Sequence, residues 1–221
     1  MEQQTLKQLA ATAALQYIDD DAIIGVGSGT TVTCFIQALN TIKYRIQGCV
    51  ASSVATAAHL KSLSIPLLDL NAVAYELAIY IDGADEINWL GEMIKGRGGA
   101  HTQEKIIATV AKQFICIVDE TKQVQRLGRC PIPLEVLPLA RSYVAREIVK
   151  LGGSPVYREH QRTDQNNIIL DVYNLEIIRP MALEDTLKLI PGVIDSGLFA
   201  KRRADKVLIA SAKGGVSTTI F

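Results

Sequence analysis

Three segments of this sequence combine residue types able to hold a small anion and move a proton. Gly25-Val26-Gly27-Ser28-Gly29-Thr30-Thr31 follows one apolar run and opens another. Glycines let a backbone approach an anion closely, and the N–H groups and positive dipole end of a following helix favour phosphate. The segment lacks the Lys of a nucleotide-binding P-loop, and Val32 stands where a dinucleotide fingerprint has its third glycine, so a small phosphoester fits better than NAD or ATP. Read alone, it also fits a tight turn with Thr30 or Thr31 as a helix N-cap.

The second segment, Asp82-Gly83-Ala84-Asp85-Glu86, comes directly after the apolar run 77–81. Two carboxylates separated only by small residues can face one pocket where a chain turns at a strand end, although carboxylates in turns also cap helices or bind their own backbone. The third segment, Lys95-Gly96-Arg97-Gly98-Gly99-Ala100-His101-Thr102-Gln103-Glu104, leads into a helical run. It offers a cation, backbone donors and a carboxylate together. Glu104 in a first helical turn is open to two readings, a general base or an acid that merely complements the helix dipole. His101 rivals it as base, but a single His beside a glycine turn is more often positional, and His59 and His160 carry no partner signature. Lys122 and the pair Ser52-Ser53 each follow a further strand end.

The elements that must position these residues read as α/β. Apolar runs at 22–26, 49–51, 66–70, 77–81 and 114–118 predict strands, and they are apolar throughout, as strands of a parallel sheet covered on both faces would be. Val32, Phe35, Ile36 and Leu39 form one helical stripe after the first strand. Segments 27–31, 52–53, 82–85 and 119–122 each follow a strand, and in an open parallel sheet such ends line the edge where ligands bind.

Six of the seven prolines lie between 131 and 191, which marks a change of composition near residue 130. Beyond it the pattern predicts a strand at 132–137, a helix at 139–151, strands at 155–158 and 168–172, a helix at 183–190 and a strand at 193–199. That order is β-α-β-β-α-β, as in a ferredoxin-like unit. A last apolar strand at 206–210 is expected to return to the first domain. The expected fold is therefore a doubly wound, mostly parallel α/β domain (1–129 plus 206–221) with a smaller inserted ferredoxin-like domain (130–205).

Lys and Arg number 23, as do Asp and Glu, so charge gives no reason to expect nucleic acid or an anionic membrane as partner. Cys34, Cys49, Cys116 and Cys130 share no metal-ligand spacing and read as reduced thiols, the first three in the core. No metal and no cofactor is expected. Met1 is followed by polar residues, and no apolar run approaches membrane-spanning length, which makes the cytoplasm the default location.

Taken together, the motifs resemble those of ribose-5-phosphate isomerase of the A type. The resemblance rests on Gly-Val-Gly-Ser-Gly-Thr-Thr (25–31), Ser-Ser (52–53), Tyr-Ile-Asp-Gly-Ala-Asp-Glu-Ile (80–87), Ile-Lys-Gly-Arg-Gly-Gly-Ala (94–100) and Gln-Glu-Lys-Ile-Ile-Ala (103–108). It continues through Pro-Ile-Pro-Leu-Glu-Val (131–136), Lys-Leu-Gly-Gly (150–153) and Ile-Pro-Gly-Val (190–193). It implies a cofactor-independent aldose–ketose isomerase of the pentose phosphate pathway, assembled as a homodimer or tetramer. By the same resemblance Glu104 is the base, and Asp82, Gly83, Ala84, Asp85, Lys95, Gly96 and Gly98 face the sugar. Ser28, Gly29, Thr30, Thr31 and Lys122 bind substrate, and Lys7 assists with phosphate. Arg97 departs from the family's unbroken glycine run, and its side chain either points outward or adds a phosphate contact.

Other readings are a phosphosugar sensor without catalysis, a coenzyme A transferase, and an amino-sugar phosphate deaminase. Retention of Asp82, Asp85 and Glu104, with no recognisable DNA-binding segment, argues against the first. The short chain disfavours the second, and ammonia release would reveal the third.

Overall fold

The computed structural model describes residues 2–73 and 77–221. The chain begins with α1 (Gln3–Ala14), β1 (Ile23–Val26), α2 (Thr30–Leu39), β2 (Gly48–Ala51), α3 (Val54–Ser62) and β3 (Leu77–Asp82). It continues through β4 (Glu86–Ile87), β5 (Met93–Ile94), α4 (His101–Val110), β6 (Ala111–Asp119), β7 (Ile132–Val136) and α5 (Arg141–Lys150). Then follow β8 (Ser154–Tyr157), β9 (Ile168–Tyr173), α6 (Pro180–Lys188), β10 (Val193–Ser196), β11 (Leu198–Phe199), β12 (Lys206–Ser211) and β13 (Gly215–Ile220).

Two compact units result. The first comprises Met1–Ala84, Gln103–Lys122 and Ala204–Phe221, and the second Asp85–Thr102 and Gln123–Arg203. Residues 85–102 and 123–129 thus fall in the second unit, whereas composition alone suggested a start at 130. The cause is pairing across sequence: β4 joins β5, β5 joins β11, and Ile87 bridges Gln123.

The first unit is a six-stranded sheet in the order β13-β12-β6-β3-β1-β2. Its strands are parallel except β13, which pairs antiparallel with β12. Because successive strand residues face opposite sides, Ile79 and Ile81 of β3 join a core with Ile24, Ile115, Ile117 and Leu208 under α1, α2 and α3. Tyr80 and Gly25 face the other side, against Ile107 of α4. Helices therefore cover both faces, the doubly wound arrangement. The strand order reverses at β1, whose neighbours are β2 and β3, and the carboxyl ends of β1 and β3 form the switch point at which such sheets bind ligands. Cys49 lies in this sheet, where burial pushes its thiol up to about 12.

The second unit contains a four-stranded antiparallel sheet in the order β10-β7-β9-β8, with α5 between β7 and β8 and α6 between β9 and β10. This is the expected β-α-β-β-α-β unit. A three-stranded sheet, β11-β5-β4, accompanies it.

Two expected strands are corrected. The run 66–70 makes only an isolated bridge, Leu67 to Cys49, because Asp69 accepts from the Asn71 N–H and turns the chain into a short 3-10 helix. The run 193–199 is two strands in two sheets, parted at Gly197. There a Cβ would sit 2.1 Å from the Lys95 carbonyl oxygen, so only glycine lets the chain cross from β7 to β5.

Candidate active site

The phosphate-type loop is built where β1 ends. Gly27 N–H donates to Ile81 O at 2.9 Å, and Gly27 O accepts from Thr56 Oγ1 at 2.7 Å. A Cβ on Gly27 would lie 1.9 Å from Asp82 Cγ, so a glycine is required for the loop to lie against that carboxylate. Gly29, at φ +94°, is the N-cap of α2, and no side chain caps this helix. Thr30 and Thr31 are thus the first helical residues and not the cap, and their N–H groups lie at the helix end that attracts anions. Lys7 Nζ donates to Thr30 Oγ1 at 2.9 Å, which places an ammonium beside the exposed residues Gly29 and Thr30.

Asp82 ends β3 fully buried and serves as the loop's anchor. Its Oδ1 accepts the N–H groups of Ser28 at 3.1 Å and Gly83 at 2.7 Å, while Oδ2 accepts a short hydrogen bond from the Tyr80 hydroxyl. Glu104, 3% exposed, accepts from Ser28 Oγ at 2.6 Å through Oε1. Ser28 therefore touches both carboxylates: its amide donates to Asp82 and its hydroxyl to Glu104. Tyr80 completes the cluster. Its phenol is pushed well above its ordinary value by burial, then by the charges of Asp82 and Glu104. It is a neutral donor.

Ser53 and Asp119 serve the scaffold. Ser53 caps α3, accepting from the Thr56 N–H at 3.1 Å. Asp119 accepts from the Thr121 N–H and hydroxyl and from Gln3, so it fixes the turn that ends in Lys122, a half-buried residue.

In the second unit, Asp85 Oδ2 accepts the Arg97 N–H at 3.0 Å. Lys95 is 3% exposed, its ammonium 5.5 Å from the centre of the Phe199 ring and its N–H donating to Gly197 O. Gly96, at φ +103°, packs so tightly on His101 that a Cβ would lie 2.7 Å from Nδ1. His101 is fully buried and packs against this turn. Arg97 and Gly98 are exposed, as are Gly29 and Thr30. His59 bonds Gln37, and His160 lies on the surface near Glu159.

Among the described residues no group of His, Cys, Asp and Glu is arranged to hold a metal ion, and no helix is long and apolar enough to cross a membrane. What the first unit can do chemically is specific enough: a buried carboxylate is held by a hydroxyl whose own backbone belongs to an anion-type loop.

Residues 48–214 match the family model described as ribose 5-phosphate isomerase A (phosphoriboisomerase A). A ribose-5-phosphate isomerase A of Legionella pneumophila is 63% identical over 209 residues, 95% of this chain and 96% of that one. Among solved structures, ribose 5 phosphate isomerase A from Neisseria gonorrhoeae superposes with TM-score 0.96 at 40% identity, covering 99% of this chain and 97% of that one. A D-ribose-5-phosphate isomerase in complex with phospho-erythronic acid superposes with TM-score 0.94 at 34% identity over the whole of both chains.

Proposed function

Because this chain belongs to the ribose 5-phosphate isomerase A family, we infer that it interconverts D-ribose 5-phosphate and D-ribulose 5-phosphate with Glu104 as the proton carrier. The observation that carries the assignment of the base is the 2.6 Å hydrogen bond from Ser28 Oγ to Glu104 Oε1. It ties a nearly dry carboxylate to the loop best built to hold a phosphate.

Isomerisation of an aldose to a ketose needs one base that takes the proton from C2 of the open-chain sugar and returns it at C1, through an enediolate. Glu104 fills that role. The phosphate is held by Ser28 to Thr31 and Lys7, with Lys122 as a further substrate contact; this anchoring removes much of the entropic penalty of orienting a flexible chain. Asp82 or Asp85 is assigned to ring opening, by taking the anomeric proton. Negative charge developing on the sugar oxygen is offset by the Lys95 ammonium and the N–H groups of Gly96 and Gly98, the Arg97 N–H being engaged by Asp85. No step calls for a metal or a cofactor. A cytoplasmic homodimer completes the proposal, by likeness of motifs.

The test is conversion of ribose 5-phosphate by purified protein in the presence of a chelator, followed by ketose formation. Wild type is expected to turn over. Glu104→Gln keeps the side chain's shape but not its basicity, so kcat is expected to fall by about two orders of magnitude or more while KM stays nearly unchanged. Undiminished turnover in this variant removes Glu104 from the mechanism.

A further inference from the structure

Successive peptide carbonyls of the glycine-rich loop are held by side chains from one short stretch of the second unit. Arg158 Nη1 donates to Gly96 O at 3.3 Å and to Arg97 O at 2.9 Å, and Gln161 Nε2 donates to Gly98 O at 3.1 Å. The guanidinium is itself fixed. Its Nε and Nη2 meet the two oxygens of Asp171 at 2.8 and 2.5 Å, in a pair whose side chains are only 16% and 13% exposed. A guanidinium gripped along one edge by a carboxylate presents its remaining donors in a fixed plane.

That grip has a consequence for the loop's donors. In a trans peptide the C=O and the following N–H point in opposite directions. The carbonyls of Gly96 and Arg97 converge on one nitrogen, so the N–H groups of Arg97 and Gly98 are directed away from it. The Arg97 N–H accordingly meets Asp85 Oδ2 at 3.0 Å. Adjacent N–H groups turned to one side form an anion-binding concavity, and the positive φ of Gly96 and Gly99 permits the turn that makes one here. The Gly99 N–H closes the turn onto Gly96 O at 3.0 Å.

We propose that Arg158, seated by Asp171 and assisted by Gln161, is a positioning residue for the isomerisation: it orients the 95–99 loop so that the Arg97 N–H holds Asp85 and the Gly98 N–H faces the charge developing on the sugar oxygen. This deepens the reading given above and rests on it. An arginine that served only the fold would change stability without a selective effect on turnover.

The full chain is compared with Arg158→Gln, Arg158→Lys, Asp171→Asn and Gln161→Ala. Measured are kcat and KM for ribose 5-phosphate, affinity for phospho-erythronic acid, and thermal unfolding. That acid carries a fixed anionic group on a phosphorylated chain, so its affinity reports on the loop donors without turnover. For Arg158→Gln kcat is expected to fall about 100-fold, the scale seen when a donor to an oxyanion is lost. Arg158→Lys cannot grip Asp171 and both carbonyls together, and a loss of about 10-fold is expected; Gln161→Ala should lose a few-fold. Affinity for the acid should fall in step with kcat, with KM nearly constant. Unchanged kcat in folded Arg158→Gln overturns the proposal, as does a loss that only follows the unfolded fraction. If Arg158→Gln does not fold, Gln161→Ala decides: selective loss of kcat supports the clamp, and wild-type kcat refutes it. Wild type inert toward ribose 5-phosphate would refute the functional reading itself, whereas active wild type with indifferent variants refutes only the clamp.

Discussion

At the scale of single residues, the site turns on how buried carboxylates are supplied with donors. Asp82 accepts from a phenol and two amides, and the phenol's own position is fixed by the strand it shares with Asp82. Removing the hydroxyl in Tyr80→Phe leaves a buried oxygen short of a donor and is expected to cost about 1–3 kcal/mol at neutral pH. The pH dependence has a definite sign. The folded state holds the Tyr80 proton more tightly than the unfolded chain, so its contribution is fully present below the ordinary tyrosine value near 10 and is lost as pH rises above it. Urea unfolding of wild type and Tyr80→Phe from pH 8 to 11 should show a constant gap up to about pH 10 that then narrows. A gap that widens with pH would mean that the phenol is not the donor. Asp82 and Lys95 were legible as candidates because a charge beside a glycine is conspicuous in a sequence, and Glu104 because it stands in the first turn of a helix that follows a glycine-rich turn. Tyr80 was not, since a tyrosine within an apolar strand reads as core and only the fold shows its hydroxyl aimed at Asp82. Arg158 and Gln161 were hidden for another reason: their partners are backbone carbonyls some sixty residues away, about which side-chain identity says nothing.

At the scale of elements, the sequence foretold most strands of the parallel sheet, because continuous apolar runs have few other uses in a chain of this composition. It failed where a backbone event interrupts such a run. Pro66 and Asp69 reduce one run to a single bridge, and Gly197 divides another between two sheets. The short β4 and β5 were invisible, since two-residue strands carry no periodicity. What the elements do for the base is set by the contact of α4 with the sheet. A Cβ added to Gly25 would lie 2.6 Å from Ile107 Cγ2 and 2.8 Å from Tyr80 Cδ2, so β1 and α4 approach as closely as they do only because residue 25 has no side chain. Gly25→Ala is expected to destabilise the protein by about 1–3 kcal/mol through overpacking. By lifting Ile107 it should also shift Glu104, three residues earlier on the same helix, and lower kcat. Ile107→Ala removes the methyl that a Cβ at position 25 would strike, so the double variant should lose less than the sum of the two single variants, which stability and rate measurements will show. Additive losses would place the effect of Gly25 elsewhere.

At the scale of the whole molecule, composition suggested two domains but gave no sign that residues 85–102 and 123–129 would fall in the second unit, because prolines mark where a chain changes style and not which distant strand it will pair with. Each unit has its own hydrophobic cluster, one around Ile24, Ile81 and Leu208 and one around Leu134, Val144 and Leu170. Charge is the other global property, and it bears on function. With 23 acidic and 23 basic side chains the protein carries no net charge at pH 7, yet the substrate proposed for it is a phosphate ester. Long-range attraction therefore contributes little to encounter, and on the proposed reading the anion is captured by donors within the site, the amides that open α2 and the Lys7 ammonium 2.9 Å from Thr30 Oγ1. Salt screens distant charges far more than close, partly buried ones, the screening length falling to about 8 Å at physiological ionic strength. The expected outcome is that kcat/KM for ribose 5-phosphate changes by no more than about twofold between low and physiological salt, while Lys7→Gln raises KM at every salt concentration. A steep fall of kcat/KM with salt in the wild type would instead reveal a steering field that a balanced charge count conceals. It would move the origin of phosphate affinity from the loop at the end of β1 to the distribution of charge over the surface.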